Sequence, residues 1–176
     1  MIRSEEFRSA YDRHARMVFN LCLNYLQNRQ DAEEVTQDVF VKVHEGMGEF
    51  RGEAAMRTWI YRIAINACLD RIKARKRAKR SVWRAVDFGR SDEGRIADPA
   101  FDHPGVRMEQ REATERVFEH INSLPTQQRT ALLLKTMDGL SQQEVAEVMG
   151  TSVKAVESLL SRARQQLRKE LGKNEG

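Results

Sequence analysis

The segment 139–164 constrains the fold most, because it has the pattern of two short helices joined by a glycine turn. Ser141 and Glu144 have the spacing of a capping box, in which each side chain satisfies a free backbone N–H at the start of a helix. Gly150 lies where the chain has to turn sharply, and glycine permits such a turn at little steric cost. Apolar residues recur at helical spacing on both sides of this turn, and the inward positions of the second helix are predicted to be Val153, Val156, Leu159 and Leu160. The segment is therefore predicted to form a helix-turn-helix, a motif that places its second helix in the major groove of DNA.

The alternative for this segment is an ordinary helical hairpin whose charged face is merely solvated. Small Ala146, the glycine turn and a second apolar stripe occur together here, and this combination favours DNA binding. The outward positions of the second helix would face base edges and phosphates. They are occupied by Lys154, Glu157, Ser158, Ser161, Arg162 and Arg164.

The rest of the chain favours an all-α fold of two small helical domains. The sequence has 176 residues and only three prolines, and it lacks the alternating apolar and polar runs of half-buried strands. Helical periodicity predicts N-terminal helices at 5–27, 31–46 and 55–79, with Asp31 as the cap of the second. The domains are predicted at 1–80 and 106–176. Segment 81–105, with its glycines, prolines and aspartates, is predicted to be a flexible linker.

Charge and cysteine content narrow the class of protein. The net charge is only +4, but segment 71–80 is nearly all basic, and such a run favours contact with a polyanion over a solvated helix end. Cys22 and Cys68 lie in apolar helical pattern without metal-ligand spacing, so we expect buried, reduced thiols and neither metal nor cofactor. No apolar run approaches the ~20 residues that span a bilayer. The chain is expected to be cytoplasmic, without direct membrane insertion.

Catalysis and duplex-DNA regulation are the competing functional interpretations. Asp31, Glu34, Asp38 and His44 can be imagined as metal ligands, but the chain has no His-Glu-x-x-His, paired-cysteine, Walker or nucleophile-elbow motif. We therefore do not expect an enzyme. A stand-alone helix-turn-helix regulator that binds two half-sites as a dimer is the stronger alternative. Such a regulator has no need for the aromatic and basic residues of the third predicted helix.

Three segments of the N-terminal half resemble a known family. The sequences DAEEVTQDVF at 31–40, FRGEA at 50–54 and TWIYRIAIN at 58–66 closely resemble the second conserved region of extracytoplasmic-function sigma factors. The helix-turn-helix is similar to their fourth region, so the resemblance covers nearly the whole chain apart from the linker. It implies an alternative sigma factor that binds bacterial RNA polymerase core, with its β′ and β subunits, and directs promoter-specific initiation.

The resemblance also implies which residues meet each partner. The acidic face of the second helix would dock on the coiled coil of the β′ subunit, through Glu33, Glu34, Gln37 and Asp38. Recognition of the minus-ten element would use Gly46, Phe50, Arg51, Trp59, Arg62, Ile63, Asn66, Arg71 and Lys73. Within this set, Gly46, Phe50, Ile63 and Asn66 would line the pocket for a flipped base. The minus-thirty-five element would meet Ser152 and the six outward residues of the helix-turn-helix given above.

Three of these residues carry further expectations. The apolar spacing of Trp59 favours a core position over base stacking. Asn66 offers both an amide donor and a carbonyl acceptor to an exposed base edge, which makes it the best candidate for specificity. Glu157 stands where many relatives have a basic residue, so the preferred DNA sequence is expected to differ. The resemblance further implies control by an anti-sigma factor, often membrane-associated, and a linker directed towards the polymerase active-site channel.

Overall fold

The computed structural model describes residues 2–49, 52–87 and 100–173, and these residues form helices as predicted. The N-terminal half contains α1 (Ile2–Leu26), α2 (Arg29–Gly46), a 3-10 turn (Met47–Glu49) and α3 (Glu53–Asp87). The C-terminal half contains a 3-10 turn (Met108–Gln110), α4 (Arg111–Ser123), α5 (Thr126–Thr136), α6 (Gln142–Met149) and α7 (Val153–Lys173). None of the helices described is long and apolar enough to cross a membrane.

The first three helices pack into one bundle around fully buried side chains. Val18 of α1, Val39 of α2 and Ile60 of α3 are each 0% exposed, as the helical periodicity predicts. Cys22 and Cys68 are free and buried, with their Sγ atoms 3.6 Å apart across α1 and α3. The prediction that both thiols are buried is therefore confirmed.

The start of α2 differs from the prediction. The N-cap is Asn28, whose Oδ1 accepts a hydrogen bond from the backbone N–H of Asp31 at 3.0 Å. Asp31 lies in the first turn, where a carboxylate also interacts favourably with the helix dipole. The assignment of Asp31 as the cap was wrong by three residues, because both residue types favour a helix start.

The last four helices form a second core, which holds the predicted helix-turn-helix. Leu133 of α5, Val145 of α6 and Val156 of α7 are 0% exposed. The capping box is present: Ser141 Oγ accepts from Glu144 N at 3.1 Å, and Glu144 Oε2 accepts from Ser141 N at 2.7 Å. At the end of α6, Gly150 has φ 64° and ψ 39°. A side chain at that left-handed conformation would be strained, so glycine is required there.

Both ends of the predicted linker are ordered and differ from the expectation. Helix α3 continues to Asp87, so residues 81–87 extend the predicted N-terminal domain. At the other end, Phe101 is buried, and Asp102 N donates to Gln27 O at 2.9 Å. The helix extends because the first glycine of the segment comes only at 89, and the apolar Phe101 ring anchors the far end. Residues 88–99 lie outside the described part of the chain.

The two helical domains are in contact in this structure. Tyr25 Oη, at the end of α1, donates a hydrogen bond to Thr130 Oγ1 of α5 at 2.5 Å. The guanidinium of Arg129 lies over the same tyrosine ring, 5.5 Å from its centroid. Helix α3 also packs against α6. The N-terminal bundle and the helix-turn-helix therefore share an interface that local sequence patterns do not indicate.

Candidate nucleic-acid and polymerase interface

The acidic face of α2 is exposed and lies opposite its buried stripe. Val35 and Val39 point into the bundle, being at most 2% exposed. The four residues predicted to dock on polymerase lie on the outside of the helix and are Glu33, Glu34, Gln37 and Asp38. Val41, 58% exposed, adjoins this face. The surface thus combines carboxylates with an apolar side chain. It is complementary to a basic protein surface that also offers an apolar contact.

Two cations of the basic segment are bound by carboxylates of α2. Arg71 donates to Asp31 Oδ1 and to Glu34 Oε2, each at 3.0 Å, and Arg75 is paired with Asp31. The hydrogen bond from Arg71 lowers the pKa of the Glu34 carboxyl. The sequence of the basic run contains no acidic residue that could offset its charge. In the folded chain, carboxylates of α2 provide that compensation. Lys73, one of the predicted DNA contacts, remains exposed.

Most of the predicted minus-ten residues of α3 lie on one side of that helix, but Arg71 faces the carboxylates of α2. Trp59, Ile63 and Asn66 follow one another at helical spacing; the first two are partly buried against the core, and Asn66 is exposed. Gly46 lies against the indole of Trp59, since an added Cβ would come 2.6 Å from Cζ2 of the ring. Phe50 and Arg51 lie outside the described residues. The structure thus brings Gly46 and Trp59 together, with Trp59 packed on the core as its spacing predicts.

Replacing Gly46 with alanine is expected to displace the Trp59 indole. The added methyl group would lie 2.6 Å and 2.9 Å from two ring carbons, and overpacking of this kind costs about 1–3 kcal/mol of folding free energy. In a Trp83→Phe background, the fluorescence emission of Trp59 should shift, and urea unfolding should occur at lower concentration.

The matched control for Gly46→Ala is Gly172→Ala on α7. An added Cβ at that position meets nothing within 4 Å, so stability should be unchanged or slightly raised. Equal stability of the two variants, with an unshifted emission spectrum for Gly46→Ala, would show that the indole does not occupy this position.

Helix α7 presents the predicted minus-thirty-five residues to solvent. Val156, Leu160 and Ala163 are buried against the other helices. The exposed residues are Lys154, Glu157, Ser158, Ser161, Arg162 and Arg164. The prediction that these six side chains point outward is therefore confirmed. Its role in DNA recognition stays a prediction.

At the start of α7, Ser152 makes a contact that the sequence did not predict, and Val153 differs from the prediction. Ser152 Oγ accepts from Ala155 N at 3.1 Å, so this hydroxyl caps the helix as well as lying at the surface. Val153, predicted to point inward, is 36% exposed. Its position in the first turn of α7, beside the cleft described next, places it outside the helix-packing stripe.

The predicted minus-ten and minus-thirty-five surfaces meet at the interface of the two domains. Arg62 of α3 donates to the carbonyl oxygens of Val148 at 3.0 Å and Glu147 at 2.6 Å, at the end of α6. Beside it, Arg57 pairs with Glu144 at 3.1 Å. A cleft of about 720 Å³ lies next to these contacts, and it is lined by Trp59 and Arg62 on one side and by Gly150 and Ser152 on the other. Sequence reasoning missed this arrangement, because the partners are more than 80 residues apart.

A carboxyl group with one buried oxygen that has no hydrogen-bond partner lies at this interface. Asp138 Oδ2 is buried and unpaired in the loop between α5 and α6. Burial raises the pKa of Asp138 to about 7, against the charge of Arg57, which lowers it. The pKa of Tyr61 on α3 rises to about 12, first through burial and then through the charge of Asp138. Asp138 therefore faces α3, and its ionised form is disfavoured in the folded chain.

Replacing Asp138 with asparagine is expected to stabilise the fold, and more so at alkaline pH. The pKa is about 7 in the folded chain and 3.8 in the reference state, so folding takes up a proton and the free energy of unfolding falls as pH rises between these values. Asparagine removes this dependence. The gain in the free energy of unfolding should be larger by about 2 kcal/mol at about pH 8 than at about pH 5.

Urea unfolding at both pH values measures this difference. Asp12→Asn, at an exposed position on α1, is the matched control and should give the same small change at each pH. A pH-independent effect of Asp138→Asn would contradict the burial of an unpaired carboxyl at this site.

Each of the two domains matches a known protein family. A family model described as Sigma-70 region 2 matches residues 10–78, and one described as Sigma-70, region 4 matches residues 115–167. The RNA polymerase sigma-H factor of Pseudomonas aeruginosa is 34% identical over 154 residues, which cover 88% of this chain and 80% of that protein. The ECF RNA polymerase sigma-E factor of Haemophilus influenzae is 33% identical, over 92% of this chain and 85% of that protein.

Solved structures show the same fold. CnrH, solved in complex with the cytosolic domain of CnrY, is 25% identical with a TM-score of 0.64, over 96% of this chain and 89% of that chain. The sigma factor RpoE of Bartonella quintana, solved with the anti-sigma factor NepR, has 19% identity and a TM-score of 0.69, over 96% and 98% of the two chains. With both conserved regions present in order and relatives matched over most of their length, the chain belongs to the extracytoplasmic-function group of the sigma-70 family, whose members are transcription initiation factors.

Proposed function

We propose that the chain binds RNA polymerase core through the acidic face of α2 and recognises promoter DNA with α3 and α7. The observation that carries this proposal is the order of two sigma regions on one chain, each with an exposed charged face. Carboxylates on α2 complement a basic coiled coil and steer its approach, while neighbouring Val41, 58% exposed, contributes apolar contact. The chain supplies no catalytic step of its own in this account and acts in the cytoplasm, where polymerase transcribes.

For the minus-ten element we propose a division between base reading and phosphate binding. Asn66 is exposed on α3 and carries both a donor and an acceptor, which suits the edge of an unstacked base. Lys73, also exposed, suits phosphate contact. Gly46, Phe50 and Ile63 would complete the base pocket by supplying space and apolar contact, and Arg51 would add a cation beside it.

Replacing Asn66 with alanine is expected to relax minus-ten preference without loss of core binding. Each base-specific contact of this kind contributes about 1–3 kcal/mol of discrimination, which is at least about five-fold between preferred and other bases. Transcription from a library of promoters randomised at the minus-ten element, with purified core, measures this. The control is Asn20→Ala, which changes an exposed amide on α1. Equal minus-ten preferences in the two variants would show that Asn66 does not recognise a base.

For the minus-thirty-five element we propose that α7 enters the major groove from its N-terminal end. Lys154 and Arg162 would bind phosphates or guanine edges, and Ser158 and Ser161 would supply adaptable hydrogen bonds. Glu157 would accept from a cytosine amino group and repel phosphate. Because of this carboxylate, we expect the preferred minus-thirty-five sequence to differ from the one that relatives with a basic residue at this position prefer.

We further propose that an anti-sigma factor controls the chain. CnrH, which shares this fold at 25% identity, was solved with the cytosolic domain of another protein bound, and the family resemblance implies such a partner. A cytosolic domain is the part of a membrane protein that could reach a sigma factor. The partner would cover the α2 face or the DNA-binding faces and so prevent assembly with core.

Footprinting with and without polymerase core separates this function from that of a stand-alone regulator. The proposal predicts no specific protection of promoter DNA by the chain alone and a footprint over both elements when core is added. A regulator would protect paired half-sites by itself and would be unaffected by core. Specific protection without core would therefore overturn the proposed function.

A further inference from the structure

We propose that Cys22 and Cys68 form a reversible disulfide when the chain is exposed to peroxide, and that this bond shifts α3 and lowers transcription initiation. The two residues are the only cysteines of the chain, and both are free and 0% exposed. The Cys68 thiol donates a hydrogen bond to Cys22 Sγ across α1 and α3. The effect on initiation rests on the proposed function, whereas the bond itself does not.

The two thiols are already close to bonding distance. Their sulfur atoms are 3.6 Å apart and an S–S bond is about 2.0 Å long, so the atoms have to approach by roughly 1.6 Å. The hydrogen bond between them shows that the side chains point towards each other. With two cysteines in the chain, no other intramolecular pairing competes. Oxidation to a disulfide within one molecule therefore has a single product, which ties α1 to α3.

Peroxide supplies the oxidant for this bond. One cysteine, as its thiolate, attacks a peroxide oxygen, the O–O bond breaks, and a sulfenic acid and water form. The second thiolate attacks the sulfenic sulfur, so the S–S bond forms and a second water leaves. In total, two thiols lose two electrons and two protons to one hydrogen peroxide, which becomes two waters. A dithiol reductant returns both thiols by thiol–disulfide exchange.

Burial sets the rate of this reaction. The hydrogen bond to Cys22, followed by burial, raises the pKa of the Cys68 thiol well above its usual value, so the reactive thiolate is scarce while the bundle is closed. Peroxide also has to reach two side chains that are 0% exposed. Oxidation and reduction therefore proceed through local opening of α1 against α3. The bond responds to lasting exposure to peroxide and not to a brief one.

Bond formation changes the position of α3 because the core around the thiols is closely packed. Val18 and Ala64, one helical turn before each cysteine, are both 0% exposed, and packed interiors transmit small displacements. On α3, Cys68 lies two residues after Asn66 and three before Arg71. Arg71 holds α3 to carboxylates of α2 at 3.0 Å. A shift of α3 at Cys68 therefore moves the proposed base-reading residue relative to the polymerase-docking face.

The first measurement detects the bond in the whole chain under native conditions. After treatment with hydrogen peroxide and removal of the peroxide by catalase, proteolytic digestion should yield peptides linked through Cys22 and Cys68. Thiol titration in denaturant should find no free thiol, and dithiothreitol should restore both. Circular dichroism should give the same helix content before and after oxidation, which shows that the bond forms in the folded chain.

The second measurement is run-off transcription from a promoter that the reduced chain uses. Purified polymerase core is added after the peroxide has been removed, so that only this chain is oxidised. The oxidised chain should give at least about five-fold less transcript, which is the loss expected when one base-specific contact is misplaced. Treatment of the oxidised chain with dithiothreitol should restore the transcript.

Cys22→Ala and Cys68→Ala are the matched controls. Each variant keeps one thiol and cannot form the intramolecular bond, so each should transcribe equally before and after peroxide. They also control for oxidation of the seven methionines, because methionine sulfoxide forms in every variant and is not reversed by thiol exchange. Two single variants are compared so that a folding defect in one of them, detected by circular dichroism, does not decide the result.

Each outcome decides the proposal. Absence of the linked peptides, or their formation only at urea concentrations that unfold the chain, overturns the bond. A bond that leaves transcription unchanged, or an equal loss of transcript in both alanine variants, overturns its effect on initiation. Failure of the reduced chain to transcribe with core removes the proposed function instead, and the peptide measurement then still decides whether the bond forms.

Discussion

Replacing Glu34 and Asp38 together with lysine is expected to abolish co-purification with RNA polymerase core. The change reverses two charges on the α2 face, and like-charge contacts across an interface cost several kcal/mol. A loss of about 2.7 kcal/mol already lowers affinity about 100-fold. Core-dependent transcription should fall by at least that factor. Association is measured by size-exclusion chromatography of the chain with purified core.

The control for this variant has to separate docking from folding, because Glu34 also pairs with Arg71. That pair is largely solvent-exposed on the glutamate side, so its loss should cost less than about 1 kcal/mol of stability. Glu109→Lys with Glu112→Lys makes the same charge change at exposed positions before and within α4. Core binding by the α2 variant equal to that of this control would contradict docking through the acidic face.

Replacing Leu160 with alanine is expected to unfold the helix-turn-helix and with it minus-thirty-five recognition. Leu160 is 1% exposed and holds α7 against the rest of the C-terminal core. Truncation of a fully buried leucine costs about 2–5 kcal/mol, a large part of the stability of a small domain. Thermal unfolding followed by circular dichroism should show an earlier transition for this domain.

Leu171 provides the matched control on the same helix. Its side chain is 38% exposed, so Leu171→Ala should change stability by less than about 1 kcal/mol. Transcription that requires the minus-thirty-five element should be lost with Leu160→Ala and retained with Leu171→Ala. Similar melting of the two variants would show that Leu160 is not part of the core that positions α7.

Features with local signals could be predicted from the sequence. The capping box of Ser141 and Glu144 and the turn at Gly150 depend on residues within one or two helical turns, so the helix-turn-helix was predicted with its correct outward face. Two helix boundaries differ from the prediction. Asn28 and Asp31 both favour a helix start, and only their geometry decides between them. The extension of α3 to Asp87 was missed because the composition of 81–105 as a whole favours a loop.

Features that depend on long-range packing could not be predicted. The ion pairs of Arg71 join residues 37 and 40 positions apart, and the contacts of Arg62 span 85 and 86 positions. No periodicity or spacing relates residues so distant. The burial of the Asp138 carboxyl was also missed, because it depends on packing against the distant helix α3. Locally, an aspartate before a glycine is typical of an ordinary exposed turn. The predicted roles of the site residues came from family resemblance, and they stay predictions.

The most direct test of the central claim is the mapping of transcript 5′ ends made by purified core on genomic DNA, with and without this chain. The account predicts a discrete set of new start sites that appear only with the chain and share sequence elements near minus ten and minus thirty-five. It also predicts that these starts disappear with Glu34→Lys, Asp38→Lys. An unchanged pattern of starts on adding the chain would contradict the account.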